Sequence, residues 1–346
     1  MKIAMLSPFE EPVPPKKYGG TELVVYNLCE ELKKAGHEVH LVASGDSKTS
    51  VALHPVFEKS IRRMPEAQDM KMRDMLKYIG IGRALRYLNQ IDADIVHNHI
   101  GWRMLPFAEL IKNPVVTTLH GPLDVKYRQP YYDFPDANYV TISNSQRKPL
   151  PTLNFIATVY NGIDIARFPF SDKTDDYFAF LGRMSPEKGP VQAIRAAKKL
   201  GAKLVMAAKV DAVDVAFFER EVKPLIDGKR IVFLGEVGHR GKVALLKNAR
   251  ALFAPIQWRE PFGLFFVEAM ACGTPVIANN AGSAKEVVAD GTTGFVVDSE
   301  DGFIKAARTI DAIRREDCRR RVEENFTSAI MAKNYVKVYE RIATGQ

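Results

Sequence analysis

Short apolar runs rich in Val, Ile, Leu and Phe alternate along this chain with longer stretches whose apolar residues recur at helical spacing. In the first half the runs are KIAMLS from Lys2, EVHLVAS from Glu38, IVHNH from Ile95, VVTTLH from Val115 and YVTIS from Tyr139, with a helix expected near Thr21 to Ala35. The pattern starts again with YFAFLG from Tyr177, KLVMAA from Lys203, RIVFLG from Arg230, ALFAPI from Ala251, PVIA from Pro275 and GFVV from Gly294. Strands separated by helix-length segments pair in parallel, because the chain needs a long crossover to return to the same sheet edge. The fold class read from this pattern is α/β, with two Rossmann-like, doubly wound parallel sheets. Between Asn161 and Asp176 the segment NGIDIARFPFSDKTDD breaks the alternation with Gly, Pro and charge, and reads as a linker. The boundary is placed at 164, so that residues 1–164 form one domain and 165–325 the other. The last helical stretch, from about Ser328 to Ile342, follows no strand, and periodicity alone leaves its partner open.

A length of 346 residues suits two domains with a core each. No apolar run approaches the ~20 residues of a membrane span, and polar and acidic residues follow the first strand too closely for a secretory signal. A cytoplasmic protein is therefore expected, with any membrane association peripheral. Cys29, Cys272 and Cys318 lie far apart and outside zinc or redox spacings, and read as buried free thiols. The formal charge of +8 suits nucleic acid, anionic lipid or a phosphorylated small molecule. Much of it lies in Lys59, Arg62, Arg63, Lys71, Arg73, Lys77, Arg83 and Arg86, in a region with helical apolar spacing. Residues 59–86 read first as a solvated face and second as a contact for an anionic membrane. No paired-aromatic signature accompanies the charge, so nucleic acid is set aside.

Open α/β sheets bind ligands beyond the carboxyl ends of their strands, and candidate chemistry is sought there. After the first strand, Tyr18, Gly19, Gly20 and Thr21 open a helix whose unpaired N–H groups suit a phosphate, although a glycine pair is also ordinary turn chemistry. The segment Gly182-Arg183-Met184-Ser185-Pro186-Glu187-Lys188-Gly189 puts two cations just past a strand, Arg183 as a fork and Lys188 as a point charge for phosphate oxygens. The most informative stretch runs from Trp258 to Gly273. Pro261 and Gly263 make a turn, and the helix that follows is apolar nearly all round, hence buried, with Glu268 as its one charge. A buried carboxylate needs a polar partner. Glu260 is expected to project from the loop, while the free N–H groups at Gly263 and beyond suit a diphosphate. His97, Asn98 and His99 cluster at one strand end and His120 follows another, as strand caps or as polar groups in a site. Asp92-Ala93-Asp94 precedes its strand and reads as a solvated turn. No metal site and no cofactor are predicted.

Glu260 and Glu268, separated by seven residues in EPFGLFFVEAMACGTPVIA, resemble the E-x7-E motif of the retaining glycosyltransferases of group 1, family 4, which have the GT-B architecture of two Rossmann-like domains facing a cleft. YGGTE at Tyr18, HG at His120, SNSQ at Ser143, NGID at Asn161, GRMSPEKG at Gly182 and GSAKEVVADGTTGF at Gly282 fall in the family's order. The resemblance implies transfer of a hexose from a nucleotide-diphosphate sugar without a metal. It assigns Arg183 and Lys188 to the donor diphosphate, Glu268 to the donor ribose and Glu260 to the hydroxyls of the transferred sugar. Phe262, Gly263 and Leu264 would act through backbone N–H groups, Gly19 and Gly20 near the diphosphate, and His120 near the anomeric carbon. Residues 326–346 would return to the first domain. Partners implied are the nucleotide sugar and an acceptor, small or lipid-linked. Two other classes compete: a nicotinamide-dependent oxidoreductase, which would need a G-x-G-x-x-G that is absent, and a noncatalytic sugar-nucleotide binding module, which would not need His120 and Glu260. A glycoside hydrolase would leave the cationic loop unexplained.

Overall fold

The computed structural model describes residues 1–17 and 19–344, so Tyr18 of the first glycine loop lies outside the described residues. The chain divides into two compact units, one of Met1–Gly162 with the segment from Ser328 onward, the other of Ile163–Thr327. Among the described residues the first holds seven strands: β1 (Lys2–Leu6), β2 (Glu38–Ser44), β3 (Ala52–Phe57), β4 (Ile95–Asn98), β5 (Val115–Leu119), β6 (Asn138–Thr141) and β7 (Phe155–Thr158). The second holds β8 (Phe178–Arg183), β9 (Leu204–Lys209), β10 (Ile231–Phe233), β11 (Leu252–Ala254), β12 (Val276–Asn279) and β13 (Gly294–Val297). The longer helices are α1 (Gly20–Lys34), α2 (Met70–Gln90), α3 (Pro190–Leu200), α4 (His239–Lys247), α5 (Leu264–Ala271), α6 (Glu300–Thr309), α7 (Arg315–Asn325) and α8 (Ser328–Ala343).

Both sheets are parallel, in the orders β3-β2-β1-β4-β5-β6-β7 and β10-β9-β8-β11-β12-β13. The winding reverses between β1 and β4 in one and between β8 and β11 in the other. Loops leaving neighbouring strands at such a reversal run to opposite faces and open a crevice at the carboxyl edge. The loops after β1, β8 and β11 carry the glycine pair, the Arg183–Lys188 segment and the Glu260 segment, so topology puts the candidate residues at the two crevices.

Two strands, β3 and β7, were not foreseen. Both are sheet edges. In β3 the run ALHPVF contains Pro55, which cannot donate to a ladder and is tolerated at an edge, and its register shifts at Ala43/Ser44 of β2. In β7 the run FIAT is short and half-exposed.

In the first unit Ile3, Ala4, Met5 and Leu6 of β1 are wholly buried, and Ala4, Leu6, Val42 and Val96 pack against Ile81, Ala84 and Leu88 of α2. On the other side α8 buries Tyr335 and Tyr339. Their hydroxyls join a polar chain across β4 and β5: the Tyr339 hydroxyl lies 2.7 Å from Nδ1 of His97, Nε2 of His97 lies 2.7 Å from Oγ1 of Thr118, and that oxygen lies 2.9 Å from the Tyr335 hydroxyl. Burial holds His97 well below the ordinary histidine range, so it bridges as a neutral ring. In the second unit Arg315 of α7 donates to the carbonyls of Ser171, Lys247 and Ala249 and to Oγ1 of Thr274, at 2.6–2.9 Å. Those bonds satisfy a buried guanidinium and tie α7 to the loops beneath the sheet.

Glu22, in the first turn of α1, is buried, and burial, reinforced by Glu11 and Glu10 nearby, pushes its carboxyl up to about 7 from 4.5. A folded value above the unfolded one means that the folded state holds the proton longer. The stabilisation is complete below the unfolded value and is lost as pH rises through 7. Glu22→Gln should therefore be more stable than the parent at about pH 8, by up to about 3 kcal/mol, and equal to it near pH 4. Urea midpoints at the two pH values check this; a difference independent of pH would show that Glu22 does not titrate in this window.

Candidate active site

In the second unit Arg183 ends β8, one residue earlier than the loop position expected, and pairs with Glu187 one turn on. Its Nε is buried with no partner among the described residues. Pro186–Lys188 form a tight turn closed by Gly189 at φ 71°. A side chain at 189 would sit 2.1 Å from the carbonyl oxygen of Pro255, so only glycine lets the loops after β8 and β11 lie backbone to backbone. The Gln257 N–H seals that contact by donating to the Glu187 carbonyl at 2.7 Å.

This closeness brings Lys188 to the E-x7-E segment. Lys188 is 8% exposed, its Nζ pairs with Oε2 of Glu260, and it lies 4.9 Å from the ring centres of both Trp258 and Phe265. The Trp258 indole N–H donates to the same Glu260 oxygen at 2.9 Å. Glu260 is thus buried and turned back onto Lys188 instead of projecting from its loop as expected. The reason is electrostatic: a carboxylate out of water needs a cation and a hydrogen-bond donor, and both stand within reach. The loop after β12 fixes the backbone beneath it. Gly282, at φ 62°, comes so close that a Cβ would lie 2.2 Å from the Glu260 carbonyl oxygen. Next to it Ser283 donates its N–H to that oxygen and its hydroxyl to the Phe262 carbonyl, both at 2.9 Å.

Gly263, at φ 77°, turns the chain into α5, and the Phe266 ring fills the space that a side chain at 263 would need. The first-turn N–H groups of Gly263, Leu264 and Phe265 have no intrahelical acceptor, and the helix dipole adds positive potential there. Phe262 buries its ring edge-to-face with Phe326, so any ligand contact it makes goes through its backbone. Glu268 lies one turn inside α5 and is 5% exposed. Its partner is Lys242 of α4, whose Nζ also lies 5.5 Å from the Phe168 ring.

Lys242 was missed by the sequence reading, as was the role of Trp258. A signal for the lysine existed: three and four residues on stand Leu245 and Leu246, both buried, so helical spacing puts Lys242 on the inward face. The structure thus gathers Arg183, Lys188, Glu260, Phe262, Gly263, Leu264 and Glu268 at the carboxyl edge of the second sheet.

In the first unit, Gly19 precedes α1 and lies against Pro15, and Gly20 is the first residue of the helix. His120 follows β5 and is half-buried. Its Nε2 lies 2.8 Å from Nδ1 of His99, whose own Nε2 lies 3.0 Å from the Met5 sulfur. Burial pushes His120 down to about 4, so it is a neutral ring at neutral pH. His97 and Asn98 are buried within β4, and His97 serves the bridge to α8. The expected turn at Asp94 is present, its carboxylate accepting from the Lys2 N–H at 2.7 Å.

Comparison with known proteins agrees with this geometry. Residues 163–328 match the family model for glycosyl transferases group 1, and residues 18–167 match that for glycosyltransferase family 4. Glycogen synthase of Mycobacterium tuberculosis is 28% identical, spanning 100% of this chain and 96% of its own. Phosphatidyl-myo-inositol mannosyltransferase of Mycolicibacterium smegmatis is 26% identical over 99% of this chain and 94% of its own. Among solved structures, sucrose-phosphate synthase of Thermosynechococcus elongatus superposes with a TM-score of 0.82 at 19% identity, covering 100% of both chains. Two wound parallel sheets, the paired loops at their carboxyl edges and these matches together place the chain among the group 1, family 4 glycosyltransferases, enzymes with the GT-B fold.

Proposed function

We propose that the protein is a retaining, metal-independent hexosyltransferase that takes its sugar from a nucleoside-diphosphate donor. The observation that carries this reading is that both carboxylates of the E-x7-E segment are buried, each held by a lysine, beside an α-helix N-terminus at the winding reversal of the second sheet. Breaking the bond between sugar and phosphate leaves negative charge on the departing diphosphate and makes the sugar oxocarbenium-like. Arg183, Lys188 and the first turn of α5 supply fixed positive potential for the former, the task that a divalent cation performs in other enzymes. Glu268 would accept from a ribose hydroxyl, Glu260 from hydroxyls of the sugar, and Gly19 and Gly20 would add N–H groups for phosphate. Glu260 Oε2 already accepts from Lys188 and Trp258, which lowers its nucleophilicity. That supports attack by the acceptor on the face the diphosphate leaves, with a phosphate oxygen taking the acceptor proton. The donor reading starts from uridine diphosphate glucose, with a guanosine sugar next. The acceptor is a small molecule or a lipid-linked one.

Titration of the protein with UDP, GDP and ADP in EDTA, followed by donor hydrolysis with sugars of the preferred nucleotide, tests the reading. Binding of one nucleotide without metal and slow release of its sugar are expected; no binding by the folded protein would sink it. Nucleotide binding with no turnover of any sugar would favour a noncatalytic module. His120→Ala should lower kcat by about ten- to a hundredfold with donor KM little changed, as for loss of a polar contact made only in the transition state. Since His120 is neutral above its value of about 4, parent and variant should share one pH profile above about pH 6. Equal kcat in steady-state assays would remove His120 from the mechanism.

A further inference from the structure

The basic region that drew attention in the sequence is resolved into two different surfaces by α2 and its surroundings. Most of its charge is spent internally. Arg73 donates to Glu10 at 2.7 Å, Lys77 lies 3.2 Å from the same carboxylate, and Arg62 lies 3.3 Å from Glu11. Arg63 pairs with Asp46, and Arg83 donates to the Val56 carbonyl. Lys59, Lys71 and Arg86 are exposed, with no ion pair or hydrogen bond among the described residues.

The helix itself is apolar on two sides. Gly80, Ile81, Ala84 and Leu88 face the core. Met70, Met72, Met75, Tyr78 and Ile79 face solvent and remain 38–65% exposed. At 100° per residue, Lys71, Met72, Met75, Tyr78, Ile79 and Arg86 fall within about one third of the helix circumference. An outward stripe of flexible thioethers, an aliphatic and a tyrosine, with an unpaired cation at each end, is left largely exposed in the folded unit. Apolar side chains that lie in the headgroup layer of a bilayer while cations meet acidic lipids have this arrangement. The two unpaired cations within the stripe, Lys71 and Arg86, choose an anionic surface over a neutral one.

The position of the stripe matters as much as its chemistry. The α2 N-terminus follows the loop from β3 at the carboxyl edge of the sheet, and Arg73 and Lys77 hold Glu10 of the loop after β1. Met70, Met72 and Met75 therefore stand at the edge where Gly19 and Gly20 open α1. We infer that the outer face of α2 docks on an anionic lipid bilayer and that the acceptor is carried by a lipid. This deepens the proposed transferase function and rests on it for the acceptor.

Sedimentation of the full chain with vesicles of phosphatidylcholine alone, and of phosphatidylcholine mixed with phosphatidylglycerol, tests it. The parent should bind the anionic vesicles and bind neutral ones far more weakly. Lys71→Glu and Arg86→Glu should each weaken binding about fivefold or more. Met75→Glu with Ile79→Glu should abolish binding, while the melting temperature and the nucleotide titration stay as in the parent, since all four residues are exposed. Failure of the parent to bind anionic vesicles, or equal binding by the variants, overturns the inference while nucleotide binding leaves the transferase reading standing. A parent dimer that Met75→Glu converts to monomer would overturn it in favour of a second copy of the chain.

Discussion

Lys188→Ala is expected to weaken nucleoside-diphosphate binding by about thirty- to a hundredfold and to destabilise the fold at the same time. The first effect follows from losing a charged donor to a phosphate oxygen, worth about 2–3 kcal/mol. The second follows from the pairing of Lys188 with Glu260, whose counter-ion it is. Truncation leaves a buried carboxylate with the Trp258 N–H as its remaining donor among the described contacts, and breaking a buried pair costs about 3–5 kcal/mol. Adding Glu260→Gln should separate the two. In the double variant the unpaired charge is gone, so stability returns toward the parent, while diphosphate affinity stays low. Urea unfolding and titration calorimetry read the two quantities independently. Parent-like affinity in Lys188→Ala would mean that the lysine serves only Glu260.

The second large effect is expected at the other carboxylate. Glu268 sits in a helix without another charge, and Lys242 is the group that makes its burial affordable. If Glu268 accepts from a ribose hydroxyl, the parent should bind a 2′- or 3′-deoxynucleoside diphosphate about tenfold more weakly than the ribonucleotide. Glu268→Ala should bind both weakly and almost equally. Lys242→Met keeps the length of the stem but leaves Glu268 without its cation, and it too should lose the discrimination. A parent indifferent to the deoxy change would end the ribose assignment. Discrimination that survives in Lys242→Met would end only the role of the lysine.

Of the fold, the part readable in the sequence was the part that burial enforces. Eleven of the strands announce themselves as β-rich runs in a βαβ rhythm: nine lie inside their sheets, where parallel strands are covered on both faces, and β10 and β13, though edges, keep the apolar runs IVF and GFVV. The edges β3 and β7 face solvent on one side, so a proline in one and a short run in the other could hide them. The same distinction governs the site. Arg183, Lys188, Gly263 and Glu268 stand out as candidates because their positions at strand and helix ends are local in sequence. The orientation of Glu260 was not, since it depends on Lys188, 72 residues away and brought near by the backbone approach of Gly189 to Pro255. Lys242 reaches Glu268 from 26 residues away, across two helices, and no local pattern records such a meeting.

The hydroxyls of Tyr335 and Tyr339, bonded to His97 and Thr118 in the middle of the first sheet, bear on the order in which the protein is made. A ribosome that has finished Gly162 has produced all seven strands of that sheet but none of the helix that covers this polar chain. Residues 163–327, a contiguous unit, emerge next and can complete their own core at once. The first unit to begin synthesis is therefore the last to close, and chains that end at residue 327 and are released should expose β4 and β5 to chaperones while their second unit folds.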